Sequence, residues 1–495
     1  MLNKSALNMF KDINSIDYKL LLLILILSIM HLACVYSAPV GILVGAIETV
    51  FVYYYLFKDK IADSLLYYGL FLITSYDNPV FYLPGYTANA NEVIYGVGVL
   101  PMLHGHLNML YMLILSYKVL SKNKFRKTNN PFVKFSRYTL VMGIVMGIIF
   151  GVIRGFSVPG WIGDLRSVIS PSLFALVFYV LFTKDAIFRA KYEKVLFHTL
   201  IVYIIMGWIT ISLGLYACET YRENLLMLPM SSVFMSIVLL FVAKMNNLRD
   251  KMVLIICVAS VIYFQLFMDA VMNGKQWIVF AVVFLVEAYL VVVKGSNIAS
   301  KIVSIVAIVG AVLFLSPRIN KFIETADNYK LTQFLELTEF ASNNIEMDEL
   351  SDSPLQRFRE FQNILYEYTH QDFPFIVFGK GFGGYVHANN FFVKKSGDFS
   401  DDQYKSNQFY RMHETINSVF LKFGLAGLFM VMITLFQSIL RINKNEWFFV
   451  GFIWLFFFWS YSINLQFYGL PALILAYCKL ASVGQHKSDK NLKRI

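Results

Sequence analysis

The amino-acid sequence predicts an all-α polytopic membrane protein of about 14 transmembrane helices (about 12 to 14), and composition, block length and charge placement each point that way. The 495-residue chain is 57% hydrophobic and 17% aromatic but only 15% charged, with mean hydropathy +0.58, whereas a soluble domain carries about 25% charged residues. Its apolar residues fall in blocks of about 20, the length that carries a helix across a hydrocarbon core of about 30 Å. The net charge of +11 is assigned to the Lys and Arg excess that holds loops in the cytoplasm, which excludes nucleic acid as the expected partner. Cys34, Cys218, Cys257 and Cys478 lie mostly in apolar segments without CxxC spacing. Neither disulfides nor a metal site is expected from them.

The first block, 18–37, follows Lys4, Lys11 and Lys19 and so has the outline of a secretory signal. It is too long for one, a second block follows at once, and His31 spoils a lipobox before Cys34. It is read as an uncleaved first helix with a cytoplasmic N-terminus. Further spans are expected near 38–57, 61–76, 93–117, 138–156, 168–183, 195–217, 224–243, 252–272, 277–293, 302–315, 416–440, 447–463 and 468–483. Alternate connections (58–60, 118–137, 184–194, 244–251, 294–301, 441–444 and the tail 487–494) hold nearly all basic residues outside one long loop, which places both termini in the cytoplasm. Arg166, Arg222 and Lys275 are the external exceptions.

Four regions follow: an N-terminal bundle 1–315, a large external loop 316–414, C-terminal spans 415–483, and a basic tail 484–495. A loop of about 100 residues is usually functional or disordered. Its first half, through Glu336, Glu339, Glu346, Asp348, Glu349 and Asp352, is acidic and expected to be solvated. In the second half Ser353-Pro354-Leu355-Gln356 reads as a helix start, with Ser as N-cap, Pro at the first helical position and Gln at the capping-box position. Leu355, Phe358, Phe361, Leu365 and Tyr368 then recur at helical spacing, so an amphipathic helix over 354–368 is predicted to lie on the bundle through that face.

Several groups could carry chemistry. Gly379-Lys380-Gly381-Phe382-Gly383-Gly384 satisfies GxGxxG, but no predicted strand precedes it, so it is read as a tight turn with close backbone approach. Arg357 and Arg359, about 200° apart on the helix, cannot both face one ligand. Either guanidinium could grip a polyprenyl diphosphate, and either could equally be a solvated or headgroup residue. Arg411-Met412-His413-Glu414 places a cation, an imidazole and a carboxylate at the external membrane boundary, where the His could orient or deprotonate a sugar hydroxyl. Arg154, at the external end of the fifth span, and Arg166, after Gly160-Trp161-Ile162-Gly163-Asp164, break the orientation bias and are functional candidates, with an Asp164–Arg166 structural pair as the alternative. Glu48 and Glu287 sit near mid-span and are read chiefly as bundle hydrogen-bonding groups; His104, His106 and His198 are read as packing residues.

Arg357 to Phe361, then Phe375 to Gly383, then His413 to Leu428 with Gly424 and Gly427, resemble in order and spacing the C-terminal region of the O-antigen polymerase and O-antigen ligase superfamily. In that family an Arg opens a helix in the large periplasmic loop, a Gly-x-Gly turn follows, and a His leads into a helix bearing Gly-x-x-Gly. The family often has Asn directly after the His; here Glu414 stands there, itself able to act as a base or orient His413.

The resemblance implies a GT-C-like bundle in the bacterial inner membrane that transfers glycans from undecaprenyl-diphosphate-linked oligosaccharide and needs no cofactor. His413, Arg357 and Glu414 are then the catalytic candidates, and Arg154, Arg166, Arg359 and Arg411 the diphosphate-binding ones. A polymerase of O-antigen, capsule or exopolysaccharide repeat units is the leading expectation, with a chain-length regulator and a flippase as further partners. A ligase to lipid A core is the runner-up. The competitor from another class is a flippase of the same lipid-linked units, disfavoured by the late external loop and the absence of two similar halves.

Overall fold

The computed structural model of the chain describes residues 16–35, 38–74, 106–122, 130–164, 170–213, 352–388, 401–410, 412 and 415–442, with isolated positions 260, 336, 339, 340, 342, 346, 350, 474 and 475. Among them the regular structure is helical, and the one extended pairing is an antiparallel bridge between Val386 and Phe409. Among the described residues four helices are long and apolar enough to cross a membrane, at Pro39–Phe57, Pro131–Arg154, Ala186–Ile209 and Thr415–Thr434. Shorter apolar helices accompany them. The chain is thus compatible with an all-α membrane protein. The spans expected at 224–243, 252–272, 277–293, 302–315, 447–463 and 468–483 lie outside the described residues, apart from isolated positions.

The chain divides into two compact units. The first comprises Met1–Val141, Asp164–Val271 and Met430–Ile495. It contains α1 (Tyr18–Val35), α2 (Ala38–Phe57), α3 (Ile61–Thr74), α4 (His106–Ser121), the start of α5 (Pro131–Arg154), α7 (Ser170–Lys184) and α8 (Ala186–Ser212). Caps explain where these helices begin. Asp17 accepts from the amides of Lys19 and Leu20, Asn130 from Phe132 and Val133, and Asp185 from Ile187 and Phe188. Consequently α5 and α8 start seven and nine residues before the predicted spans at 138 and 195, because a cap and not the onset of apolar sequence opens them.

Helix α1 packs against α2, α3 and α8, and α4 packs on α7. The core is aromatic: Tyr68 stacks on Tyr111 with centroids 4.6 Å apart, and Phe178, Phe182, Phe188 and Tyr192 cluster between α7 and α8. Meanwhile Leu22, Ile26, Leu43, Ile47 and Val50 remain exposed, an outer surface suited to acyl chains. At one end Lys118 pairs with Asp59 (2.6 Å), Lys191 with Asp63 (3.2 Å) and Lys194 with Asp17 (3.0 Å). These are helix ends that the charge pattern groups on one side.

The second unit comprises Met142–Gly163 and Met272–Phe429. It is built from the latter part of α5, the short α6 (Val158–Asp164), α9 (Asp352–His370), a 3-10 turn at Phe373–Phe375, α10 (Asp401–Ser406) and the start of α11 (Thr415–Ile442). Helix α9 begins two residues earlier than predicted, so Ser353 falls inside its first turn and does not precede it.

The buried face of α9 also differs from expectation. Gln356, Glu360, Asn363, Ile364, Glu367 and Tyr368 are buried, whereas Phe361 and Leu365 are exposed. In an environment where lipid can cover apolar side chains, the inward face is the one whose polar groups need protein partners.

Candidate functional site

Two glycine-bearing helices make room for the loop. On α5, Gly143 and Gly147 form a small-residue strip with Met146 and Phe150 beside it. The turn after α9 lies directly on that strip: the Phe382 amide donates to the Gly143 carbonyl at 2.8 Å. Gly381 has φ +68, and a Cβ there would run into the Gly147 backbone. Only glycine satisfies both demands. Gly143 is eleven residues back from Arg154, so the turn reaches about 16 Å along α5 from its end.

Helix α11 is broken where the same segment meets it. Gly424 takes φ 59, ψ -156, outside the helical region. Four backbone groups at the break are answered by the loop. Lys380 and Gly381 amides donate to the Leu421 and Lys422 carbonyls (3.0 and 2.9 Å), while Leu425 and Ala426 amides donate to Ile376 and Val377 (2.9 and 2.8 Å). The Tyr368 hydroxyl, kept protonated by burial and by the Asp372 and Glu367 charges, donates to the Leu421 carbonyl at 2.8 Å. Non-helical backbone inside an apolar layer survives only where protein satisfies it in this way.

A four-charge network sits where α5 ends. Lys380 is buried and contacts the Glu367 carboxylate, Asp372 Oδ2 at 2.7 Å and the Tyr385 carbonyl at 2.8 Å. Its ammonium lies over the rings of Phe150 and Tyr368, 5.3 and 5.7 Å from their centroids. Asp372 also holds Arg154: Nη2 and Nε donate to Oδ1 at 2.8 and 2.9 Å, and Nη2 donates further to the Gln371 carbonyl. Two carboxylates thus offset two cations, which removes most of the cost of burying them. The Arg154 side chain nevertheless stays 45% exposed. Tyr385, whose hydroxyl burial keeps protonated, donates to the Arg154 carbonyl at 3.2 Å.

Glu367 has a second duty. Its Oε1 accepts from both the backbone amide and Nδ1 of His387, each at 2.6 Å. Burial pushes the Glu367 carboxyl up, but the His387 hydrogen bond and the Lys380 ammonium together bring it below its ordinary value. It is therefore a carboxylate at neutral pH.

Of the residues singled out in the sequence, Arg154 is part of this network. Arg357 and Arg359 are on α9, both partly buried, and the Arg357 carbonyl accepts from Asn417 at the start of α11 (2.9 Å). Gln371, whose carbonyl Arg154 touches, is fourteen positions on from Arg357, about 20 Å along α9 at helical rise. The two arginines do not close on one group. Arg166, Arg411, His413 and Glu414 lie outside the described residues. Glu48 pairs with His31 at 2.9 Å within the first unit.

Nothing in the local sequence marks Glu367, Asp372 or His387 as functional, and Lys380 stands out only as part of a glycine-rich turn. The four-residue spacing of Gly143 and Gly147 was a legible sign of close backbone approach. Comparisons with protein families, with curated proteins and with solved structures found no match for this chain.

Proposed function

We propose that the protein is a membrane-embedded glycosyltransferase that polymerises lipid-linked oligosaccharide repeat units, with Arg154 gripping the diphosphate of the donor. The observation that carries this reading is a half-exposed guanidinium at the end of an apolar helix, held in a fixed orientation by buried Asp372 and the Gln371 carbonyl. A diphosphate attached to a polyprenyl chain has its charge at the level of the lipid headgroups, and a preorganised guanidinium there stabilises the negative charge that develops as the diphosphate leaves.

Arg357, about 20 Å away along α9, suits the diphosphate of a second carrier, the one bearing the acceptor unit. Two separated cations fit a reaction between two lipid-linked substrates better than a single diphosphate clamp does. The resemblance to the O-antigen polymerase and ligase superfamily adds His413 as a further catalytic candidate. By this reading the enzyme works at the external face of the bacterial inner membrane and uses undecaprenyl-diphosphate-linked glycan.

The test is deletion of the gene in its native cell, with the surface polysaccharide resolved by size. A ladder that collapses to a single repeat unit supports polymerisation, and Arg154→Ala should then restore no more than about 1% of wild-type chain growth, the scale of losing one preorganised donor. Loss of every surface unit would instead favour a ligase or flippase. An unchanged ladder refutes all three.

A further inference from the structure

The second half-open group beside Arg154 is an imidazole with an unusual anchor. His387 offers its backbone amide and its Nδ1 to the same oxygen of Glu367, each at 2.6 Å. A carboxylate only accepts, so Nδ1 must carry the proton, and in the neutral ring Nε2 is left with its lone pair. The His387 side chain is 34% exposed, while that of Glu367 is 1% exposed. Nε2 has no hydrogen-bond partner among the described residues.

The anchor cannot swing, because the other Glu367 oxygen is held by buried Lys380 and the ring of Tyr385 abuts the imidazole edge to face at 5.2 Å. Tyr385 in turn bonds the Arg154 carbonyl, so His387 and Arg154 flank the same tyrosine. Here a buried base-orienting carboxylate, a single enforced tautomer and a partly exposed imidazole share a tyrosine with Arg154. A side chain needed only for packing has no use for that combination.

We propose that His387, oriented by Glu367, is the catalytic base that takes the proton from the attacking sugar hydroxyl of the acceptor unit. This rests on the transferase reading above. The acceptor oxygen forms the new bond to the anomeric carbon as its proton passes to Nε2. The bond from that carbon to the diphosphate breaks, and its electron pair leaves with the diphosphate oxygen beside Arg154. Glu367 stabilises the imidazolium until the proton passes to water. Glu367 is a positioning residue; the substrate class is a carbohydrate hydroxyl, and no metal is required by the balance of the step.

The experiment uses membranes from the deletion strain carrying wild type, His387→Gln, Glu367→Gln, His413→Ala, Arg154→Ala or His370→Gln, supplied with the lipid extract of the deletion strain as source of the unpolymerised unit. Membrane levels of each variant are matched. His387→Gln is expected to lower kcat by 10²- to 10⁴-fold with KM changed less than about threefold, the scale of removing a general base. His370→Gln, at an exposed position of α9 where the ring stacks on Tyr366, should match wild type. Glu367→Gln removes the acceptor that orients the ring, so its kcat should fall with KM little changed. Diethylpyrocarbonate, which acylates a neutral, accessible imidazole nitrogen, should modify His387 faster than buried His31 or His198 when peptides are read by mass spectrometry.

If Arg154→Ala and His413→Ala abolish polymerisation while His387→Gln retains it, the base assignment falls and the transferase reading stands. If the deletion strain keeps a normal ladder, both fall. An unreactive His387 in folded wild-type protein overturns the exposed lone pair on which the assignment depends.

Discussion

Lys380 and Glu367 show how a polar interior can serve a membrane protein. Each is nearly fully buried; Lys380 meets Glu367, Asp372 and the Tyr385 carbonyl, and Glu367 accepts from Lys380 and from two nitrogens of His387. Their balance has a pH consequence. Because the folded-state value of Glu367 lies below its ordinary 4.5, its stabilising contribution is complete above about pH 4.5 and is lost as the pH falls through the lower folded value. Purified protein in detergent should therefore lose thermal stability on acidification below that pH, and Glu367→Gln should lose less over the same interval. Equal slopes for the two proteins would contradict the ionised, paired state of Glu367. Removing the cation instead, by Lys380→Met, leaves buried Glu367 with His387 alone and Asp372 with Arg154 alone, and should cost about 3–5 kcal/mol, visible as a large fall in melting temperature.

Among the elements, α9 and α11 each depart from the simple amphipathic reading for the same reason. The apolar stripe of α9 was expected to face the protein, yet Phe361 and Leu365 are exposed while Glu360, Asn363 and Glu367 are buried. Hydropathy predicts one continuous span for α11, yet Gly424 interrupts it and the loop backbone fills the gap. Both follow once lipid is the alternative environment: apolar side chains lose nothing there, and unsatisfied peptide groups lose several kcal/mol each.

The glycine turn that joins the elements is correspondingly intolerant. Gly381→Ala places a Cβ against the Gly147 backbone at a positive φ, and we expect a loss of at least about 1–3 kcal/mol from strain alone, with poor recovery of folded protein from membranes. Gly155 also has positive φ, but a Cβ there meets nothing within 4 Å. Gly155→Ala should be recovered better than Gly381→Ala, and the reverse order would dissociate the close approach from stability.

At the scale of the whole molecule, the orientation argument is directly testable. The pairs Lys118–Asp59, Lys191–Asp63 and Lys194–Asp17 gather basic helix ends in the first unit, and the orientation we propose from the charge pattern has those ends in the cytoplasm. In a background lacking Cys34, Cys218, Cys257 and Cys478, Lys405→Cys in α10 should react with an impermeant maleimide on intact spheroplasts. Lys122→Cys should react only after permeabilisation. Labelling of both from the same side would overturn the assigned topology and, with it, an external site for Arg154.

Much of this was legible in the sequence. The apolar blocks set the helices at Ala38–Phe57 and Thr415–Ile442 within two residues of the expected spans, because hydropathy over 20 residues sums many independent burial terms. The mark on Arg154 was likewise local, a cation on the wrong side of the charge pattern. The turn at Gly379 to Gly384 was recognisable as a close-approach segment from composition alone. What could not be read was which side chains would meet there. Glu367 and His387 are 20 positions apart in the loop, with Asp372 and Lys380 between them, and Arg154 comes from a helix more than two hundred residues earlier. Their pairing depends on the Gly143 and Gly147 strip of α5 and the break in α11 docking the same loop. Only the tertiary structure decides that, because desolvation makes a polar partner obligatory without specifying from which part of the chain it must come.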